Sequence, residues 1–171
     1  ITRQDQLVLD GAVRLGPGAL ISKGTSIEAP VYVADRARVL SGVSIGKYSY
    51  VGRDSIVTKA SIGRYCSIAH GCQINYFREH PKDWLSTHPF QYDNDIFSFW
   101  NGYKNFGKTS FDADASQAHV TIGHDVWLGA AVMIFGGVSI ANGAMVGACS
   151  MVRSDLPAYA IAYGVPAHVA K

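Results

Sequence analysis

V-S-I-G-K-Y-S-Y-V-G-R-D-S-I-V, residues 43–57, repeats itself every six positions. Ile45, Val51 and Val57 are the aliphatic beats of that repeat. Working backward in the same phase gives Val39, Val33, Ile27, Ile21, Leu15 and Leu9. Working forward, after a one-residue deletion, gives Ile62, Ile68 and Ile74. A long segment then breaks the phase, which resumes as Ile122, Leu128, Ile134, Ile140, Val146 and Val152. All 18 of these positions are aliphatic. Four residues after most beats the side chain is small or β-branched: Val43, Ser49, Ser55, Ser61, Cys66, Cys72, Val126, Val132, Ala144 and Ser150. Directly after many beats comes glycine, as at Gly46, Gly52, Gly63, Gly123, Gly129 and Gly147.

A period of six is neither the 3.6 of a helix nor the 2 of an ordinary alternating strand. It belongs to β-solenoids. With three short strands to each triangular turn, the chain is expected to be all-β, one domain over 1–171, with about six coils. Coils then stack at the usual strand spacing of about 4.8 Å. The aliphatic beat fills the axis, and the position four on sits near a corner where only small side chains fit. Glycine is expected to relieve strain at the bends. From Ser154 the chain is expected to leave the repeat as an irregular tail, since Pro157 and Pro166 do not suit a central strand.

Composition excludes several function classes. The 171 residues carry a formal net charge of +2, which leaves no broad basic face for nucleic acid. No apolar run reaches membrane-spanning length, and nothing reads as a signal peptide. Three cysteines without metal-ligand spacing point to a reduced, cytoplasmic setting.

The break, about residues 76–119, is longer than an inert connection usually is. Tyr76, Phe77, Trp84, Phe90, Tyr92, Phe97, Phe99, Trp100, Tyr103, Phe106 and Phe111 give it an apolar surface of its own. Such a segment is expected to pack against the solenoid or a neighbouring subunit and shape a pocket there. A subunit-stabilising arm without chemistry is the plainer alternative. Within it runs H-P-K-D-W-L-S-T-H-P-F, residues 80–90.

The hexapeptide repeat resembles the left-handed parallel β-helix of the hexapeptide acyltransferases. Residues 80–90 resemble the loop of the xenobiotic acetyltransferases, the chloramphenicol and streptogramin type. T-I-G-H-D-V-W-L-G, residues 121–129, resembles their re-entry into the prism. S-D-L-P-A-Y-A-I-A-Y-G-V-P-A, residues 154–167, resembles a tail shared by many hexapeptide acetyltransferases. This resemblance covers about residues 45–171. It implies a left-handed coil, a homotrimer with sites between subunits, and acetyl-coenzyme A as co-substrate.

Acetyl transfer needs a base for the acceptor proton, a held thioester and a stabilised oxyanion. By the resemblance, His80 is the base, suited to it because histidine titrates near neutral pH. Asp83 is expected to orient His80 or contact the acceptor, with a local cap as its plainer role. Trp84 and His88 are expected beside the acceptor, His88 filling an aromatic slot of the motif. Trp127 is expected near the thioester. Gly129, Ala130, Gly147 and Ala148 are expected along the pantetheine arm, and Arg153 at the coenzyme phosphates. Cys66 and Cys72 fall inward and are not nucleophile candidates, whereas Cys149 falls outward. His70 is expected at the surface, and His168 is given no role.

The expected activity is O-acetylation of a small hydroxylated acceptor, antibiotic or sugar. A sugar N-acetyltransferase of nucleotide-sugar or polysaccharide biosynthesis is the nearest alternative. His119 and His124, five apart, raise a γ-class carbonic anhydrase-like zinc enzyme, but no third ligand stands in register. The expectation is no metal. A non-catalytic assembly prism completes the alternatives.

Overall fold

The structure, a computed structural model, describes residues 12–76, 80–92, 99–100 and 118–171. Of the residues singled out above, Leu9, Phe77, Phe97, Tyr103, Phe106 and Phe111 lie outside the described residues. Two compact units emerge: residues 1–77 with 118–171, and residues 78–117.

The first unit is a parallel β-solenoid. Its first sheet stacks β1 (Val13–Leu15), β4 (Val31–Val33), β7 (Ser49–Val51), β10 (Ser67–Ile68), β13 (Trp127–Leu128), β16 (Met145–Val146) and β18 (Ile161–Gly164). The second stacks β2 (Leu20–Ile21), β5 (Arg38–Val39), β8 (Ile56–Val57), β11 (Gln73–Ile74), β14 (Met133–Ile134) and β17 (Met151–Val152). The third stacks β3 (Ser26–Ile27), β6 (Ser44–Ile45), β9 (Ala60–Ile62), β12 (Val120–Ile122) and β15 (Ser139–Ile140). The aliphatic beats from Val33 to Val152 are all buried, as are Val43, Ser49, Ser55, Cys66, Cys72, Val126, Val132, Ala144 and Ser150. Leu15, Ile21 and Ile27 are partly buried against that core. Buried hydroxyls are satisfied: Ser49 Oγ donates to Gly63 O at 2.8 Å and accepts from Cys66 N at 2.9 Å.

Three expectations need correction. First, the tail does not leave the solenoid at once. Leu156 bridges Ile140 in parallel, β18 adds a seventh rung beside β16, and β19 (Ala167–Val169) folds back antiparallel on β18. Pro157 and Pro166 fall outside the strands, one before β18 and one in the turn after it, so they remove no ladder donor. Second, the deletion before Ile62 moves Ser61 off the small inward position. Ala60, fully buried, takes it, and Ser61 pairs with Ser44 and Thr121 in the outward column. Third, the glycines after the beats do not bend the chain. Positive φ falls instead on residues such as Tyr48 (63°), Asp54 (59°), Tyr65 (61°) and Asp125 (55°). A Cβ on Gly52 would stand 2.5 Å from the Ala69 carbonyl carbon, so glycine there answers to the close approach of the next coil.

Outward columns differ by face. The first sheet shows Arg14, Tyr32, Tyr50, Ser67, Trp127, Met145 and Ile161 in register, and the third shows Ser26, Ser44, Ser61, Thr121 and Ser139. The break in the repeat leaves after β11 and returns into β12. Asn75, 1% exposed, ties that junction: its Nδ2 donates to Lys59 O at 3.1 Å and to Ala118 O at 3.0 Å.

Candidate active site

Residues 80–92 make a local structure of their own. Pro89 starts a 3-10 turn, Pro89–Gln91, because its fixed φ suits the first helical position and its missing N–H is not needed there. His88 caps the turn: its Nδ1 accepts from Phe90 N at 3.1 Å. Ser86 Oγ accepts from His88 N at 3.1 Å. Tyr92 closes the turn, its N–H donating to Pro89 O at 2.9 Å.

The turn delivers Tyr92 to His80. Tyr92 Oη lies 2.9 Å from His80 Nδ1, and Thr87 O lies 2.8 Å from the same nitrogen. A carbonyl oxygen can only accept, so Nδ1 carries the proton that it shares with Thr87. Nε2 then keeps its lone pair. The imidazole is exposed. Trp84, half-buried, meets the Tyr92 ring edge-on at 6.0 Å, and Tyr92 meets the His80 ring at 6.5 Å. Chemically, His80 is an imidazole held at one nitrogen and open at the other.

Sequence-predicted residues divide accordingly. His80, Trp84 and His88 share this structure, with His88 acting as a turn cap. The Nδ1 partners of His80 are Thr87 and Tyr92, so orientation of the ring does not run through Asp83, which is exposed. Neither Tyr92 nor Thr87 was named for this role. Both act through the shape of the turn, which spacing alone does not reveal.

On the solenoid, Trp127 is 49% exposed between Ser67 and Met145 in the first sheet's outward column. Gly129 is buried, and its N–H donates to Val146 O at 2.8 Å. A Cβ there would stand 2.6 Å from Ala148 N. Its glycine is accounted for by coil stacking, not by opening a groove for a ligand. Gly147 likewise donates to Ala162 O at 2.8 Å. Ala130 is half-buried and its carbonyl accepts from Cys149 N at 2.7 Å, while Ala148 is exposed. Arg153 is exposed, its guanidinium 5.4 Å from the Phe135 ring centroid.

Cys66 and Cys72 are buried, and burial pushes both thiols up, Cys72 to about 11. Cys149 is exposed. His119 Nε2 lies 2.8 Å from Ser61 Oγ, and His124 Nδ1 accepts from Arg64 N at 2.9 Å. Among the described residues, no three His, Cys, Asp or Glu side chains come together to hold a metal ion. A cavity of about 380 Å³ opens elsewhere, between Arg14, Pro30, Tyr32, Tyr48 and Tyr50. It contains none of the predicted site residues.

A chloramphenicol acetyltransferase of Klebsiella aerogenes is 34% identical over 123 residues, 71% of this chain and 54% of that protein. A probable macrolide acetyltransferase of Lysinibacillus sphaericus is 32% identical over 125 residues, 72% of this chain and 63% of that protein. Over about seven-tenths of its length the chain is thus similar to chloramphenicol-type and macrolide acetyltransferases. It spans about half the length of the chloramphenicol acetyltransferase it matches. No family model matches it. Among solved structures, a variant of AntD, an N-acyltransferase from Bacillus cereus in complex with dTDP and coenzyme A, superposes with TM-score 0.68 at 25% identity. The match covers 92% of this chain and 78% of that one. The all-β parallel solenoid here agrees with the left-handed β-helix that the resemblance implies.

Proposed function

We propose that the chain is an acetyl-coenzyme A-dependent acetyltransferase that O-acetylates a small hydroxylated acceptor, an antibiotic or a sugar. The observation that carries this reading is the His80 ring, tied at Nδ1 to the Thr87 carbonyl at 2.8 Å and exposed otherwise. That tautomer suits a general base acting through Nε2. The acceptor hydroxyl gives its proton to Nε2 as its oxygen attacks the thioester carbonyl carbon. The tetrahedral intermediate expels the coenzyme thiolate, which takes the proton back from Nε2. Acetyl ends on the acceptor, and no acyl-enzyme forms.

Asp83 contacts the acceptor, with Trp84 and His88 beside it. Trp127 lies by the thioester, the backbone around Gly129, Ala130, Gly147 and Ala148 borders the pantetheine arm, and Arg153 meets phosphate. Coenzyme A in the AntD complex supports the co-substrate. The working form is a homotrimer with acceptor and thioester brought together between copies of the chain. The exposed column of Tyr50, Trp127 and Met145 supports such an association, since apolar area of that kind gains by burial. Free cysteines support a reduced, cytoplasmic setting. Among the described residues, no helix is long and apolar enough to cross a membrane. N-acetylation of an amino sugar is the second reading, favoured by the likeness to an N-acyltransferase.

Two measurements test this. Coenzyme A is expected to raise the unfolding midpoint, because a ligand of the native state stabilises it. His80→Ala is expected to lower kcat by about 10²–10⁴ in thiol release from acetyl-coenzyme A with chloramphenicol or a hexose amine as acceptor. Coenzyme binding is expected to persist. Full turnover in that variant refutes the base.

A further inference from the structure

We infer that Tyr92 is a positioning residue for His80, and that the Ser-Thr-His-Pro-Phe turn, residues 86–90, serves to bring its hydroxyl to Nδ1. This inference rests on the proposed role of His80.

A lone carbonyl anchor leaves an exposed imidazole poorly defined. The ring can swing about the single Nδ1···O axis, and water can compete for Nδ1. If water takes Nδ1 as an acceptor, the proton moves to Nε2 and the base is lost. A second oxygen on the same nitrogen opposes both. Tyr92 Oη, at 2.9 Å, and Thr87 O, at 2.8 Å, share one N–H as a three-centre bond. The Tyr92 proton then points away from the ring, since Nδ1 already carries one. As the acceptor's proton arrives at Nε2, the ring becomes a cation and both oxygens face its charged N–H. Hydrogen bonds to a charged group are the stronger kind, so the hydroxyl helps most in the transition state.

The surroundings fit this task. Tyr92 does not hang free: its ring meets Trp84 at 6.0 Å and an interplanar angle of 77°, and its backbone closes the 3-10 turn on Pro89. His88, by accepting from Phe90 N, sets the turn that aims Tyr92. His88 therefore influences His80 through backbone geometry. A capping role needs an acceptor, which asparagine also supplies.

Tyr92→Phe removes only the hydroxyl and keeps the ring against Trp84. With acetyl-coenzyme A and chloramphenicol or a hexose amine, kcat is expected to fall about tenfold, with KM for acetyl-coenzyme A within about twofold. Nitrogen-15 spectra of histidine-labelled protein, with His80 assigned by loss of its signals in His80→Gln, are expected to show one Nδ1–H tautomer in the parent. The same spectra are expected to show a mixture in Tyr92→Phe, with the unfolding midpoint unchanged. A His80 spectrum unaltered by Tyr92→Phe overturns the inference whatever happens to kcat. This readout does not depend on acetyl transfer, so it separates from failure of the base itself, which His80→Ala reports. His88→Asn is expected to keep the parent spectrum and His88→Ala to resemble Tyr92→Phe. Equal spectra for those two His88 variants overturn the role given to the turn.

Discussion

His80 is chemically informative because its two nitrogens have different surroundings. Nδ1 is held by Thr87 and Tyr92, and the ring is otherwise exposed. The sequence singled the histidine out through a resemblance, since it heads the motif of residues 80–90 in the segment that breaks the repeat, and its role as base is the proposal made above. Its partners were not. A carbonyl has no sequence signature, and Tyr92 reaches the ring only because a 3-10 turn reverses the chain. The cysteines give the same contrast in a testable form. Cys66 Sγ donates to Gly123 O at 3.0 Å and Cys72 Sγ to Gly129 O at 3.3 Å, in a buried setting that disfavours both thiolates. At pH 8 an aromatic disulfide reagent is expected to titrate Cys149 rapidly in the native protein. All three thiols are expected to react only after denaturation. Rapid titration of a second thiol in the folded state contradicts the buried assignment.

At the scale of the element, the unit is a strand of two or three residues whose partner lies one coil away. Such strands have no stability alone, so their residues answer to the neighbouring coil. Gly129 illustrates this: the space a Cβ needs is taken by Ala148 N at 2.6 Å. At Gly147 the nearest atom is the Tyr163 Cβ, at 3.0 Å. Overpacking of this kind costs about 1–3 kcal/mol. In a chain of this size each kcal/mol is roughly 2–4 °C. Gly129→Ala is therefore expected to lower the thermal midpoint, and by more than Gly147→Ala, as scanning calorimetry would read. An equal or reversed order contradicts a backbone clash at Gly129. The beats were readable because a period of six leaves few alternatives. The place of Asn75 was not, because its two carbonyl partners lie 16 and 43 residues away.

For the whole solenoid, coils are joined at their edges by charged pairs as well as by strands. Arg36 grips Asp54 through two bonds of 2.7 Å, and Arg64 grips Glu28 through two of 2.8 Å. The Arg36 hydrogen bond holds the Asp54 carboxyl below its usual range, and the Arg64 hydrogen bond does the same for Glu28. Both groups titrate lower folded than unfolded. Their stabilisation is therefore present above the ordinary carboxylate range of about 4 and is lost as pH falls through the depressed values. Exposure keeps each contribution small. The thermal midpoint is expected to decline on acidification below about pH 4–5, and the decline is expected to flatten in Arg36→Gln/Arg64→Gln. An unchanged acid limb in that double variant refutes the linkage.

By itself, the amino-acid order determined the solenoid, its axis and the location of the break, because a six-residue period must be met at every coil to bury its aliphatic beats. Tertiary structure alone decided what stands next to what across coils. It set the seventh rung from the tail, Ala60 in place of Ser61, and the distinct chemistry of the faces. It also placed a tyrosine hydroxyl on an imidazole twelve residues away. Those relations depend on register and on the path of the backbone through space, and local residue preferences do not encode either one directly.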